Sequence, residues 1–236
     1  MCQILGVICV VRVQTDQMQN LADLAFIDDA ARDRLTVEGD DALSYLQSQI
    51  AQEIRDMTVG ETRWTLVLEP NGKVDTLARI TRTAEAAFVL DTDAGFGASM
   101  QARIDRFKIR VKAESSLTPA EQAEPSAAHE AARVAAGWPR MGAEIVPGET
   151  VPAVTGVIAA SVNFTKGCYP GQELVERMDS RGADAPKSLR IIDVPVGTAV
   201  GTVIDGVAEV TSVDGGTALA YVKRGNDLGT APAHSD

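Results

Sequence analysis

One short segment carries most of the side chains in this sequence that could do chemistry. Residues 166–173 read KGCYPGQE and place a single thiol, Cys168, between two glycines. A thiol acts as a nucleophile or a ligand only as thiolate, and a nearby cation or helix N-terminus lowers its pKa. Lys166 lies two positions away, and residues 170–178 predict a helix entered through proline, with acidic side chains in its early turns. We therefore predict that Cys168 is a functional, approachable thiol.

The other cysteines and the histidines offer little support for alternative chemistry. Cys2 and Cys9 lie in an apolar run and are predicted to be small buried hydrophobes. The cysteines form no CxxC pair, and only His129 and His234 could join them, so a zinc or iron-sulfur site is not predicted. Neither histidine is placed to act as a base for Cys168, which argues against a Cys-His hydrolase. Redox, covalent and carrier roles stay open.

Composition narrows the classes of partner. The chain has 236 residues, 45% of them hydrophobic, which suffices for one large domain or two small ones. A net charge of -11 opposes binding to phosphate backbones, so no direct nucleic acid partner is predicted. The apolar run over residues 1–13 is too short to cross a bilayer and lacks signal-peptide features, so no membrane association is predicted. It reads as an extra strand or as a start assigned too early, and we favour Met18 as the true start. The odd cysteine count favours reduced thiols in the cytoplasm.

The first half of the chain alternates strand and helix patterns. Residues 34–39 predict a strand, and Asp40 then sits where a helix N-cap belongs, followed by apolar residues at helical spacing up to Ile54. Further strands are predicted at 86–90 and 109–113, and a helix at 98–107. Residues 64–68 and 74–81 flank an Asn-Gly turn and predict a hairpin. This half is predicted to be an α+β domain.

The second half is predicted to be more loosely organised. Residues 114–128 are rich in Ser, Thr, Pro, Ala, Glu and Gln, which predicts a linker. A short helix is predicted at 130–136, and Trp138 is expected to be a packing anchor. Short strands with Gly-rich turns over 188–222 predict a small barrel or sandwich. The predicted units are an N-terminal extension (1–17), a main domain (18–182), a C-terminal β-barrel (183–224) and a flexible tail (225–236).

The KGCYPGQE segment resembles the signature of the YgfZ-type folate-binding proteins, relatives of the glycine-cleavage T protein. The resemblance continues through residues 35–39, 70–73, 136–139, 181–182 and 206–212, and covers about 33–224. It implies a T-protein-like fold: a mixed α/β domain followed by a small C-terminal β-barrel. It also implies binding of tetrahydrofolate or another folate, and support for the assembly or repair of iron-sulfur client enzymes. The central residue is then Cys168, and the folate ligands are Lys166, Gly167, Tyr169, Gln172, Glu173 and Arg181.

Three departures from the family limit what the resemblance implies. Residues 114–128 replace a whole middle section of the full-size family. Two tryptophans that the family links to folate correspond here to Arg32 and His129. The aminomethyltransferase relatives carry paired aspartates after the Pro-x-Gly turn, whereas here Asp75 is followed by Thr76. Two functions therefore stay open: a folate-binding accessory protein without turnover, and a tetrahydrofolate-dependent aminomethyltransferase or other one-carbon transferase.

Overall fold

A computed structural model describes residues 30–121, 124–180 and 185–235. The predictions for Cys2, Cys9, Met18 and Arg181 lie outside these ranges. The described strands form two antiparallel sheets, a larger one in the order β2-β3-β4-β1-β5 and a smaller one in the order β6-β9-β8-β7. The strands are β1 Arg32–Glu38, β2 Thr62–Leu68, β3 Val74–Ala84, β4 Ala87–Asp93, β5 Glu114–Thr118, β6 Lys187–Asp193, β7 Val203–Ile204, β8 Ala208–Asp214 and β9 Thr217–Lys223.

The helices lie mainly against the larger sheet, and one packs on the smaller sheet. They are α1 Ala42–Gln47, α2 Gly97–Asp105, α3 Ala127–Ala136, α4 Ile158–Ser161 and α5 Gln172–Ser180, with a 3-10 turn at Pro152–Val154. Helix α3 begins where Ser126 accepts a hydrogen bond from the His129 backbone and ends at Gly137 with φ 70°. Within the described ranges, each helix is too short or too polar to span a bilayer.

The predicted hairpin between β2 and β3 is confirmed. The strands pair through Leu66 and Leu77, and the turn closes where the Glu69 backbone N–H donates to Lys73 O at 2.8 Å. Gly72 has φ 86°, a conformation that favours glycine at this point of the turn. The hairpin thus presents residues 70–72 at one end of the larger sheet.

The helix predicted to reach Ile54 ends seven residues earlier, at Gln47. Ile50 instead forms an isolated bridge with Val67, and the Ala51 N–H donates to Leu66 O at 3.0 Å. The Gln47 side chain accepts a hydrogen bond from the Ile54 N–H at 3.0 Å. Ile50 and Ile54 are nevertheless fully buried. Their spacing in the sequence therefore indicated buried positions and not a helix.

The strand predicted at 109–113 is wrong, and so is the first third of the predicted linker. Ile109 is 77% exposed, whereas Glu114–Thr118 forms β5 at the edge of the larger sheet. In this strand, Leu117 pairs with Leu35 of β1 and packs on the core. A strand at the edge of a sheet with one face in water needs few apolar residues, so Leu117 alone is enough to pack β5 on the core.

The smaller sheet is open, with β6 and β7 at its edges, rather than a barrel closed by strand pairing. The tail after Arg224, which was predicted to be flexible, packs on the fold over residues 229–235. Thr230 and Ile191 exchange two backbone hydrogen bonds of 2.9 Å, and both Pro232 and His234 are buried. The tail therefore packs along the free edge of β6.

Two apolar clusters cover opposite faces of the larger sheet. The first includes Leu35, Leu46 and Phe88 and lies beneath α1 and α2. The second includes Trp64 and Trp138, and also holds Tyr169 from the KGCYPGQE segment. This second cluster therefore positions that segment against the sheet.

A buried ionic network joins α3 and the loop that contains Glu144 to the smaller sheet. Arg133 of α3 donates to Glu144 at 3.0 Å and to the Ser212 hydroxyl at 2.5 Å, and Ser212 donates to Glu144 at 2.6 Å. The Tyr221 hydroxyl donates to the Glu144 backbone oxygen at 2.7 Å. Because Arg133, Glu144 and Ser212 are all buried, removal of one partner would leave an uncompensated polar group.

Candidate functional site

The loop that contains Cys168 is organised first by an asparagine. Asn163 Oδ1 accepts hydrogen bonds of 2.9 Å from the Thr165 N–H, the Thr165 hydroxyl and the Lys166 N–H. The asparagine side chain thus provides hydrogen-bond acceptors for backbone N–H groups that have no partner in a helix or strand. We call residues 163–173 the thiol loop.

Lys166 anchors this loop to α1. Its ammonium donates to the backbone oxygens of Gln47, at 2.7 Å, and Ile50, where the last turn of α1 leaves carbonyls without helical partners. The side chain is 5% exposed and lies 4.8 Å from the ring centre of Tyr169. Burial lowers the Lys166 pKa to about 8. The Lys166 ammonium is therefore bound by the chain's own carbonyl oxygens, and the role of Lys166 as a folate ligand stays a prediction.

Tyr169 packs the loop onto the sheet. It is buried in the cluster that contains Trp138, the predicted packing anchor. Burial, helped by the charge of Glu176, raises the pKa of Tyr169 to about 12. The phenol consequently stays protonated at neutral pH and keeps a hydrogen-bond donor beside the loop.

Helix α5 begins at Gln172, two residues later than the predicted entry through Pro170. The Gln172 side chain accepts a hydrogen bond from the Tyr169 N–H at 3.3 Å and donates to Glu176. Glu173 and Arg177 form an ion pair one helical turn apart, with side chains 83% and 52% exposed. The polar side chains of this helix start are therefore accessible to a ligand.

The thiol loop meets the β2–β3 turn through two glycines. Gly171 has φ 84°, and a Cβ placed there would lie 2.6 Å from the Glu69 backbone oxygen and 3.0 Å from Gly72 Cα. A Cβ on Gly72 would in turn collide with Leu174 of α5. By contrast, a Cβ on Gly167 would meet nothing within 4 Å. One glycine beside Cys168 thus permits close packing, and the other leaves open space.

Two arginines hold this turn, Arg103 in α2 and Arg106 directly after it. Arg103 donates from Nε to Leu68 O at 2.6 Å, and Arg106 donates to the Glu69 carboxylate at 2.8 Å. Arg103 is 1% exposed, and burial lowers its pKa. The sequence prediction missed Arg103, although its place between Met100 and Ile104 on the apolar side of a helix marks it as a buried cation.

The thiol loop and the turn border a cleft of 540 Å³. Cys168 is exposed at this cleft. The lining is Pro70, Asn71, Cys168, Tyr169, Gly171, Gln172, Glu173, Leu174, Glu176 and Arg177. Its volume lies within the range of small-molecule sites, which is about 300–1,000 Å³. The structure therefore brings Cys168, Tyr169, Gln172 and Glu173 together, while Lys166 points elsewhere.

A second, larger cleft lies at the other end of α2. It measures 780 Å³, and its lining includes Asp93, Phe96, His129 and Arg140. Arg32 forms ion pairs with Asp91 and, at 2.9 Å, with Asp93. In the described ranges, no His, Cys, Asp and Glu side chains gather in a group that could hold a metal ion.

Asp75, which lies three residues after Gly72 and is followed by Thr76, is buried. Its carboxylate accepts hydrogen bonds from the Thr76 hydroxyl at 2.6 Å and from the Ser99 hydroxyl at 2.7 Å. It lines neither of the two clefts. Asp75 thus binds α2 to β3 and is not presented to either cleft.

No protein-family model matches the chain. An uncharacterized protein from Haemophilus influenzae is 24% identical over 188 residues, which are 64% of this chain and 67% of that protein. The crystal structure of glycine cleavage system aminomethyltransferase T from Bartonella henselae matches with a TM-score of 0.63 and 14% identity. The match covers 84% of this chain and 80% of that one. The chain therefore has a T-protein-like mixed α/β fold.

Proposed function

We propose that this chain is a cytoplasmic folate-binding accessory protein that supports the assembly or repair of iron-sulfur enzymes. One observation carries the proposal. Two segments about 100 residues apart in the sequence meet through Gly72 and Gly171 and form a ligand-sized cleft with an exposed thiol at its edge. These two segments also carry the resemblance to the YgfZ-type proteins. The likeness of the fold to an aminomethyltransferase T supports the folate-binding part of the proposal, and the iron-sulfur part rests on the resemblance alone.

The cleft offers the groups that a folate needs. A pterin ring is held by carboxylate and amide groups, which Glu173 and Gln172 supply, beside the body of Tyr169. The anionic glutamyl tail needs a cation, and Arg177 at the cleft takes the role expected of Lys166. Its exposed ion pair with Glu173 contributes less than about 1 kcal/mol, so a ligand can displace it readily. Gly167 leaves room beside the thiol, and Arg181 stays a proposed ligand from the resemblance alone.

An accessory role fits the surroundings of Asp75 better than a transferase role does. An aminomethyl transfer needs an acid or base at the ligand, and the Asp75 carboxylate is occupied by two hydroxyl groups away from both clefts. The alternative is a tetrahydrofolate-dependent aminomethyltransferase or other one-carbon transferase, which the fold likeness keeps open. Incubation with tetrahydrofolate and an aminomethylated donor separates the two, because only the transferase forms a methylene-folate product.

Calorimetry with tetrahydrofolate tests the binding step. A ligand at 100 times its dissociation constant stabilises the folded protein by about 2.7 kcal/mol, which a thermal melt detects. We expect Arg177→Ala to weaken binding and Arg140→Ala, in the larger cleft, to leave it unchanged. The reverse pattern would move the ligand to the larger cleft. If millimolar tetrahydrofolate produces no heat of binding and no rise in melting temperature, the protein does not bind folate.

A cellular assay tests the iron-sulfur step separately. The chain should restore iron-sulfur enzyme activity in cells that lack a related protein, and Cys168→Ser should fail to do so while it still binds folate. Full rescue by Cys168→Ser would show that the thiol is not the functional group of the loop.

A further inference from the structure

The segment Gly229–Ser235, which we call the latch segment, is held by few contacts. Its only backbone pairing among the described residues outside the segment is the exchange between Thr230 and Ile191, on the otherwise free edge of β6. Gly229 has φ 73° and lies so close to Ile191 O that a Cβ would collide with it. Pro232 packs on Gly137, where a Cβ would approach it to 2.8 Å. Such an attachment can open locally while the rest of the fold persists.

The latch segment inserts an imidazole into the second apolar cluster. His234 is 3% exposed, and its ring centre lies 4.7 Å from that of Trp138, which is 4.5 Å from Trp64. Its Nε2 is buried and has no hydrogen-bond partner among the described residues. A phenyl ring would fill the same place without a buried nitrogen that lacks a partner. The buried nitrogen without a partner thus lowers the stability of the attached segment.

The charged groups around this ring are already paired. Arg133 donates to the Trp138 backbone oxygen at 2.7 Å and is bound to Glu144. Arg32 and Arg79 lie over Trp64 and are paired with Asp91. On β6, Arg190 donates to Ser188. Among the described residues around the ring, the carboxylates of Glu144 and Asp91 are thus already paired with arginines and are not free to pair with a protonated His234. Burial lowers the pKa of His234 to about 4.

We propose that Gly229–Ser235 is a proton-operated latch, in which protonation of His234 expels the ring from Trp138 and detaches the segment from β6 while both sheets stay folded. The sign follows from the pKa. Free histidine titrates near 6.5, so the closed state is fully favoured above that pH and loses stability as the pH falls towards 4. Opening uncovers Trp138 and the cluster that also holds Tyr169 of the thiol loop. This inference does not depend on folate binding.

Tryptophan fluorescence of the full chain tests the latch directly, because the sequence has only two tryptophans, Trp64 and Trp138, and both lie in this stack. On titration from pH 7 to pH 3, we expect the fluorescence to change before the far-UV circular dichroism does. In the same range, the hydrogen-exchange protection factors of the Ile191 and Thr230 amides should fall, while that of the Ala220 amide in the centre of the smaller sheet stays high.

Three variants make the test specific. His234→Phe keeps a ring on Trp138 but cannot titrate, so the early fluorescence change should disappear. His129→Gln removes the only other histidine and should leave it in place. Gly229→Ala strains only the attachment to β6, so the change should move to higher pH by about one unit or more. Three results would each overturn the proposal. The fluorescence and dichroism could change together in the wild type, the early fluorescence change could persist in His234→Phe, or Gly229→Ala could leave its pH unchanged.

Discussion

Replacement of Gly171 by alanine should separate the thiol loop from the β2–β3 turn. A Cβ at this position meets the Glu69 oxygen at 2.6 Å and Leu68 Cβ at 2.9 Å, and the backbone has φ 84°. The left-handed conformation costs an L-residue about 1–2 kcal/mol, and insertion of an atom into a packed place costs about 1–3 kcal/mol. We therefore expect Gly171→Ala to lower the free energy of unfolding by about 2–5 kcal/mol. In a chain of this size that corresponds to a loss of about 5–15 °C in melting temperature.

Gly167→Ala is the matched control, because it changes the other glycine beside Cys168 and its Cβ enters open space. It should alter the free energy of unfolding by less than about 1 kcal/mol. Urea unfolding gives both free energies, and the alkylation rate of Cys168 reports whether the loop has moved. Equal stability and equal alkylation of the two variants would refute the view that the glycine contact holds the loop on the turn.

Three further predictions concern the anchor, the thiol and the edge strand. Burial lowers the Lys166 pKa from 10.5 to about 8. The wild type should therefore gain up to about 3 kcal/mol of unfolding free energy between pH 8 and pH 10.5, and Lys166→Met should lose this slope in urea titrations. Cys168→Ala removes an exposed sulfur, so the free energy of unfolding should change by less than about 1 kcal/mol. The same variant should fail to restore iron-sulfur enzyme activity in cells. Leu117→Asp places a carboxylate against the core and should cost more than about 2 kcal/mol in chemical unfolding, whereas Ser116→Asp on the exposed face of β5 should not. Equal losses for this last pair would mean that β5 contributes no burial.

The sequence predicts those parts of the fold whose signals are local. The hairpin was predictable because Asn-Gly fixes a turn between two strand patterns, and α3 because a serine cap and a glycine stop bound it. Helix α1 was predicted to be too long. The spacing of Ile50 and Ile54 shows that both are buried, but it is the same whether they lie in a helix or, like Ile50, in a bridge to Val67. The choice between the two is made by a partner strand, which the local sequence does not contain.

The sequence predicted which residues lie together but not how each of them is held. Glycines and a lone thiol in a polar segment led to the prediction of a functional loop, and the structure does bring Cys168 and Glu173 to one cleft. The role of Lys166 was not predictable, because the carbonyls that bind its ammonium belong to Gln47 and Ile50, more than 100 residues away. The buried position of His234 was missed for the same reason, since its aromatic partner lies at Trp138 and the surrounding composition is polar.

The anchoring of the thiol loop by Lys166 also bears on how the protein is made. The bond from Lys166 to Gln47 joins positions separated by 119 residues, so the loop cannot be fastened until the larger sheet and α1 have formed. Closure of so long a loop costs entropy that only prior folding of the intervening chain repays. On a ribosome, a chain that has emerged only as far as α3 has no thiol loop to fasten. The Cys168 thiol is therefore placed at the cleft only in a molecule whose larger sheet and α1 have already formed, and the Lys166 contact forms late in folding.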